Sequence, residues 1–182
     1  MSKIKTFTGI MFNPLDPDPN LIKIEDIAHA LSMMCRANGH FKTFYSVGQH
    51  SINCMKEAEA RGYSKRVQLA ALIHDASEAY LSDITRPVKR QLPAYMDAEK
   101  VLQGLIYDKY LDKPLSDDEK EKVLDIDNAI LYFEMLSIMD ARIYDTEPEL
   151  LSIPLTEFVG FEKCEKEFGE LFNRLINDND NE

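Results

Sequence analysis

The chain has little with which to cross-link itself. Its 182 residues include three cysteines, Cys35, Cys54 and Cys164, an odd number with no CxxC spacing. That excludes a disulfide framework and a cysteine-based zinc module, and it points to reduced thiols in a cytoplasmic protein. No apolar run approaches the roughly 20 residues that span a bilayer, so a membrane partner is not expected. The opening "MSKIKTFTGIMF" has no long apolar stretch and does not read as a signal peptide. Cations are scarce too: 21 Lys and Arg against 32 Asp and Glu leave a formal charge of −11. An acidic body repels nucleic-acid backbones, which argues against duplex nucleic acid as a partner. A small anionic substrate stays open, because a local cluster of cations and metal is screened far less than surface charge. Internal repeats, low-complexity linkers and strand-like alternation are also missing.

What is present is helical periodicity. Residues 1–23 hold "NPLDPDPN" and read as an irregular N-terminal arm. From Ile24, apolar residues recur at steps of three and four (Ile27, Ala28, Leu31, Met34, Cys35) until Asn38-Gly39. Ser46 is placed to cap a helix over about 46–61, ended by Gly62, and Ser64 to cap another over about 64–80. "SDITRPVKRQLP" is a polar connector. Further helices are predicted over about 93–110, 117–139 and 156–177, with Ser116 and Glu119 forming a capping box and "DTEPELLSIP" a loop. Residues 177–182 read as a frayed acidic tail. The predicted architecture is an all-α helical bundle in one domain over 1–182.

Chemistry is concentrated in a few polar residues on apolar faces. "LAALIHDASEAY" drives an apolar run straight into His74 and Asp75, and burying such groups unpaired costs several kcal/mol, on the order of 2 to 7 for a neutral polar group. His50 shares a stripe with Val47 and Cys54. In "VLDIDNAILYFE", Asp127 lies beside the buried stripe of Ile126, Ala129, Ile130 and Phe133, whereas Asp125 reads as solvated. A lone histidine on an apolar face is usually a satisfied core residue. Two imidazoles with two carboxylates instead suit one divalent transition metal, Mn, Co, Fe, Ni or Zn, with coordination positions left for chemistry.

The series His50, then His74-Asp75, then Asp127, an H…HD…D order on consecutive helices, resembles the HD-domain phosphohydrolase superfamily. The stretches "IEDIAHALSMMCRANGH", "FYSVGQHS" and "LIHDASEAYLSDITRPVKRQLP" are similar to short, prophage-associated HD proteins. These are relatives of bacterial HD-type 5′-deoxynucleotidases and phage dNTP phosphohydrolases. The similarity covers about residues 8–135. It implies an all-α HD fold holding one divalent ion on His50, His74, Asp75 and Asp127. By motif position, Glu78 and Asp83 become the acid/base pair, and Arg36 and Lys89 hold phosphate. His40 and Tyr45 fall in the family's pattern without an assigned role.

The residues themselves leave each of these two-sided. Glu78, four residues after His74, lies on the same face of the predicted 64–80 helix, or is an exposed helix-end acid. Asp83 is a proton carrier or a turn residue. Arg36 offers a planar fork to phosphate or is a surface arginine. Lys89 joins Arg86 and Arg90 in a patch that either holds an anion or is solvated, and Pro87 could wall a base pocket. A basic residue that some nucleotide-specific relatives carry just before the last Asp is absent, the nearest being Lys122. The expected activity is metal-dependent release of phosphate from a small nucleotide, foremost a deoxynucleoside 5′-monophosphate. The alternatives are triphosphate release from a dNTP, cleavage of a cyclic nucleotide or alarmone, and a non-catalytic nucleotide-binding domain. The resemblance also implies homo-oligomers, for which the helical face 96–107 is available.

Overall fold

A computed structural model describes residues 2–179. It opens with a feature that the sequence pattern does not show. Strands β1 (Ile4–Lys5) and β2 (Met11–Phe12) pair antiparallel, Ile4 opposite Phe12. The hairpin is held down by its own polar atoms: the Thr8 backbone N–H and hydroxyl donate to the two carboxylate oxygens of buried Asp26, at 2.7 and 3.0 Å. Phe12 is fully buried, 4.4 Å from the Tyr80 ring. The arm is therefore short in regular structure but anchored, a correction to its reading as irregular.

Among the described residues eight α-helices follow: α1 (Ile24–Met33), α2 (Val47–Ala60), α3 (Lys65–Leu72), α4 (Glu78–Leu81), α5 (Arg86–Lys89), α6 (Pro93–Tyr110), α7 (Asp117–Met139) and α8 (Phe161–Asn179). The chain is mostly helical, with that one small sheet. Serine caps start three helices as the sequence implies. Ser46, Ser64 and Ser116 hydroxyls accept from the backbone N–H of Gln49, Val67 and Glu119, and Glu119 returns the bond to the Ser116 N–H. Pro93 opens α6 at a position where its missing N–H has no cost. Helix α2 is the centre of the bundle, buried along most of its length and packed on α1, α3, α7 and α8. The main core joins Ile27, Leu31, Val47, Met55, Leu69, Leu72, Leu102 and Phe168.

Two helices differ from their predicted limits. The helix expected over 64–80 stops at Leu72 and resumes as α4 at Glu78. Nothing local forces this, since "IHDASEA" lacks Gly and Pro. Gln103 of α6 fills the gap instead: its Nε2 donates to Ile73 O at 2.8 Å and its Oε1 accepts from the Ser77 N–H at 3.0 Å. The last helix begins at Phe161, because 149–157 runs as an irregular strap clamped to α2. The acidic tail lies outside the described residues from 180 on. All three cysteines are free, and among the described residues no helix is long and apolar enough to cross a membrane.

Candidate metal centre

Three segments deliver four ligand-type side chains to one point. His50 comes from the middle of α2, His74 and Asp75 from the break after α3, and Asp127 from α7. His50 is fully buried, and the other three side chains are 8–21% exposed. The Nε2 atoms of His50 and His74 stand 3.2 Å apart. Asp127 Oδ1 lies 3.2 Å from the first and 3.8 Å from the second. Asp75 Oδ2 lies 3.8 and 3.3 Å from the same two atoms. Two donors at about 2.1 Å from a shared ion stand about 3.0 Å apart at a right angle and about 3.4 Å apart at a tetrahedral angle. The observed separations, 3.2–3.8 Å, run from between these two values to a little above the second.

The protons make the stronger case. His74 Nδ1 is 2.8 Å from Ala71 O, an acceptor only, so this nitrogen carries the hydrogen. His50 Nδ1 is 2.6 Å from Glu134 Oε1, inside a fully buried pair, and donates likewise. In a neutral imidazole the other nitrogen is then a bare lone pair. Two such lone pairs and two carboxylate oxygens converge with no hydrogen of their own between them; Arg36 NH1 reaches Asp75 Oδ2 at 3.4 Å, and a bound cation or added protons would satisfy the rest. Outer partners that fix the tautomer in this way are the usual companions of metal-bound histidine. Without an ion the chain moves towards protons. Burial and Arg36 push the His50 pKa down, but Cys54, Glu134 and the Asp127 hydrogen bond hold it well above the ordinary value. Burial raises Asp127, yet the adjoining His50 and His74 imidazoles hold its carboxyl well below the usual range.

Cys54 adds a fifth candidate ligand. Its Sγ lies 3.5 Å from His50 Nε2, and buried His50, Cys54 and His74 form a group able to hold a metal. Burial pushes this thiol up to about 11, so it is neutral where the carboxylates are charged. The two carboxylates therefore make the better partners for the imidazoles. On the sequence Cys54 reads as a core thiol on the stripe of His50, one turn on; the fold adds its approach to Nε2.

Glu134 is the residue that sequence reasoning missed. It is fully buried on α7 and accepts from His50 Nδ1, from the Tyr45 hydroxyl at 2.8 Å and from Arg36 Nε at 3.0 Å. Burial pushes its pKa up, but the charges of His50 and Arg36 hold the carboxyl below its ordinary value. Its signal was available, since it follows Asp127 by seven residues, two turns along the same face.

The predicted cations lie close to this centre but are already engaged. Arg36 is half-buried, its NH1 3.4 Å from Asp75, its NH2 3.6 Å from Asp127 and its Nε on Glu134. Arg86 spans Asp127 Oδ2 at 2.5 Å and Asn128 Oδ1 at 2.9 Å, thereby orienting Asp127. Lys89 reaches Glu78 at 3.2 Å and Glu99 at 2.6 Å. Lys122 pairs with Asp118 at 2.6 Å, over the Tyr63 ring, away from the centre. A cleft of about 430 Å³ opens beside His74 and Asp75, with Ser77, Lys89, Met96 and Lys100 in its walls. Pro87 is exposed and is not in that lining. A larger hollow of about 600 Å³ near Tyr63 and Lys113 is lined by Lys122 and Asp118 but by none of the four converging residues.

Glu78 is buried although the helix breaks between it and His74. Its Oε1 accepts from Lys89, and its Oε2 is buried without a partner. Burial first, then Asp75 and Asp83, raise its pKa well above the ordinary carboxyl value against Lys89 and Arg36. Asp83 follows Ser82, whose φ of +81° lies in the left-handed region, and it adds its charge to both Glu78 and Arg36.

No protein-family model matches the chain. It is 42% identical over 110 residues to the uncharacterized protein YfdR of Escherichia coli K12, covering 60% of this chain and 59% of that protein. It is also 38% identical over 109 residues to the uncharacterized protein RCAP_rcc00048 of Rhodobacter capsulatus, covering 57% and 55%. The chain thus spans less than two thirds of the length of these relatives.

Proposed function

We propose that the chain is an HD-type, divalent-metal-dependent phosphohydrolase that releases phosphate from a small nucleotide, foremost a deoxynucleoside 5′-monophosphate. The observation that carries this reading is the meeting of four proton-free acceptor atoms at the head of an open cleft. His50, His74, Asp75 and Asp127 would hold the ion, which when bound supplies Lewis acidity towards a phosphoryl oxygen and towards water.

The chain's own residues divide the remaining work. Glu134, Ala71 O and Arg86 orient three of the ligands. Glu78, whose hold on a proton is strengthened by burial, is suited to give that proton to the departing ribose oxygen, and Asp83 to take one from the attacking water. Lys89, on the cleft wall, meets the phosphate oxygens. Cation supply favours a monophosphate. Arg36 and Arg86 are committed to carboxylates, and the cleft lining adds Lys89, itself shared with Glu78 and Glu99, and Lys100, too few for a triphosphate.

A panel of dNMPs and dNTPs, given to chelator-treated protein with Mn²⁺, Co²⁺ or Zn²⁺ restored, tests this. Inorganic phosphate from monophosphates is expected. Triphosphate from dNTPs would move the substrate assignment, and no product from any nucleotide would leave a non-catalytic binding domain.

A further inference from the structure

Residues 149–157 have no regular structure, yet a row of side chains on α2 holds them. Gln49, Asn53, Glu57 and Arg61 follow one another at steps of four and so share one face. Arg61 NH2 donates to Glu149 O at 2.9 Å. Fully buried Glu57 accepts from the backbone N–H groups of Leu151 and Ser152 and from the Ser152 hydroxyl, at 2.6–3.2 Å. Gln49 Nε2 donates to Leu155 O at 2.8 Å and to Glu157 O at 2.9 Å. Side chains here do what a neighbouring strand does in a sheet.

Asn53 belongs to this row and to a second one. Its Oδ1 accepts from the Leu155 N–H at 3.1 Å, which fixes which end of the amide is nitrogen. Its Nδ2 then donates to Leu155 O at 3.0 Å and to the Tyr45 hydroxyl at 2.8 Å. Having accepted that bond, Tyr45 turns its own hydrogen to Glu134 Oε1, the oxygen that receives His50 Nδ1–H. Every donor in the series has one available direction. Asn53 and Tyr45 are 2% and 1% exposed, so water does not substitute for a lost member.

The geometry points to 149–157 as a strap that sets the orientation of His50, with Asn53 and Tyr45 as positioning residues between the strap backbone and the metal centre. The inference rests on the metal reading proposed above. It goes further in making a segment distant in sequence from every ligand part of what tunes the ion's affinity.

The test is Co²⁺ titration of the chelator-treated full chain, followed by its visible d–d absorption, which reports ligand geometry and not fold. Tyr45→Phe deletes one oxygen. Asn53→Asp replaces the donor facing Tyr45 by an acceptor. Leu155→Pro removes the N–H that orients Asn53. Each is expected to weaken Co²⁺ about tenfold, the low end of the range for outer partners of metal ligands, and to shift the band. Ile153→Ala, on the strap but 94% exposed, is expected to change neither. Unchanged affinity and spectrum in all three variants, with the parent binding Co²⁺, would overturn the strap's role and leave the metal reading standing. Weakening in Tyr45→Phe with none in Leu155→Pro would overturn it as well, by cutting the strap out of the series. A parent that binds no Co²⁺ would overturn the metal reading, and the inference with it.

Discussion

A neutral imidazole offers a lone pair from one nitrogen only, and at His50 and His74 the partners on the far side of each ring choose Nε2. Glu134→Ala removes that choice at His50. Its metal affinity is expected to fall about 10- to 100-fold, measured by competition with a chelating dye. The same assay separates the two ligand sets. Asp127→Ala is expected to abolish stoichiometric binding and Cys54→Ser to preserve it; the reverse result would assign the ion to His50, Cys54 and His74. Glu78 has a different signature. Its folded pKa is raised, so the folded chain holds that proton more tightly than the unfolded one, and its contribution to stability is lost as pH rises through the folded value. Glu78→Gln is therefore expected to raise the melting temperature of metal-free protein more at pH 8 than at pH 5. A tenfold difference in proton affinity between folded and unfolded chain is worth about 1.4 kcal/mol, and about 1 kcal/mol moves the melting point of a domain this size by about 2–4 °C. Equal effects at the two pH values would mean that Glu78 ionises normally.

The helices were legible wherever a local signal exists. Ser46, Ser64 and Ser116 announce α2, α3 and α7, and Pro93 announces α6. The break after Leu72 was not legible, because its cause is Gln103, thirty residues on, and periodicity carries no long-range information. That break places His74 and Asp75 at the centre in place of one continuous helix. Gln103→Leu leaves the Ser77 N–H without its acceptor, while Ile73 O keeps the Ala76 N–H, and is expected to cost about 1–3 kcal/mol in thermal unfolding. It is also expected to weaken metal binding, which a purely local defect would not do. The hairpin at 4–12 escaped for the opposite reason. Two-residue strands leave too little alternation to see, and Thr8 on Asp26 is a tertiary bond. On α7, Ser116→Ala is expected to cost about 1 kcal/mol of stability with metal affinity unchanged, since the cap lies three turns from Asp127.

As a whole the molecule is acidic, with a formal charge of −11, and its centre repeats the imbalance. Asp75, Asp127, Glu134 and Asp83 are four carboxylates facing two arginines, Arg36 and Arg86. The three-cation patch around Lys89 looked on the sequence like a phosphate site, but the fold turns Arg86 to Asp127 and Lys89 to two glutamates. The four converging residues could be picked out because apolar faces tolerate few polar side chains. The partners that occupy the cations could not, because pairing across 41 residues leaves no local pattern. On the metal reading proposed above, such a centre is expected to attract a phosphate only once a divalent ion is in place. Binding of a dNMP to metal-free protein is therefore expected to be undetectable by calorimetry, and to emerge on adding one equivalent of metal.

The most direct measurement is inorganic phosphate released from a dNMP as Mn²⁺ or Co²⁺ is titrated into chelator-treated protein, beside His74→Ala. Release that rises with the ion, levels near one equivalent per chain and is absent in His74→Ala is the expected result. Release that persists without metal and survives His74→Ala, or no release at any metal level, would contradict a catalytic metal centre at this site.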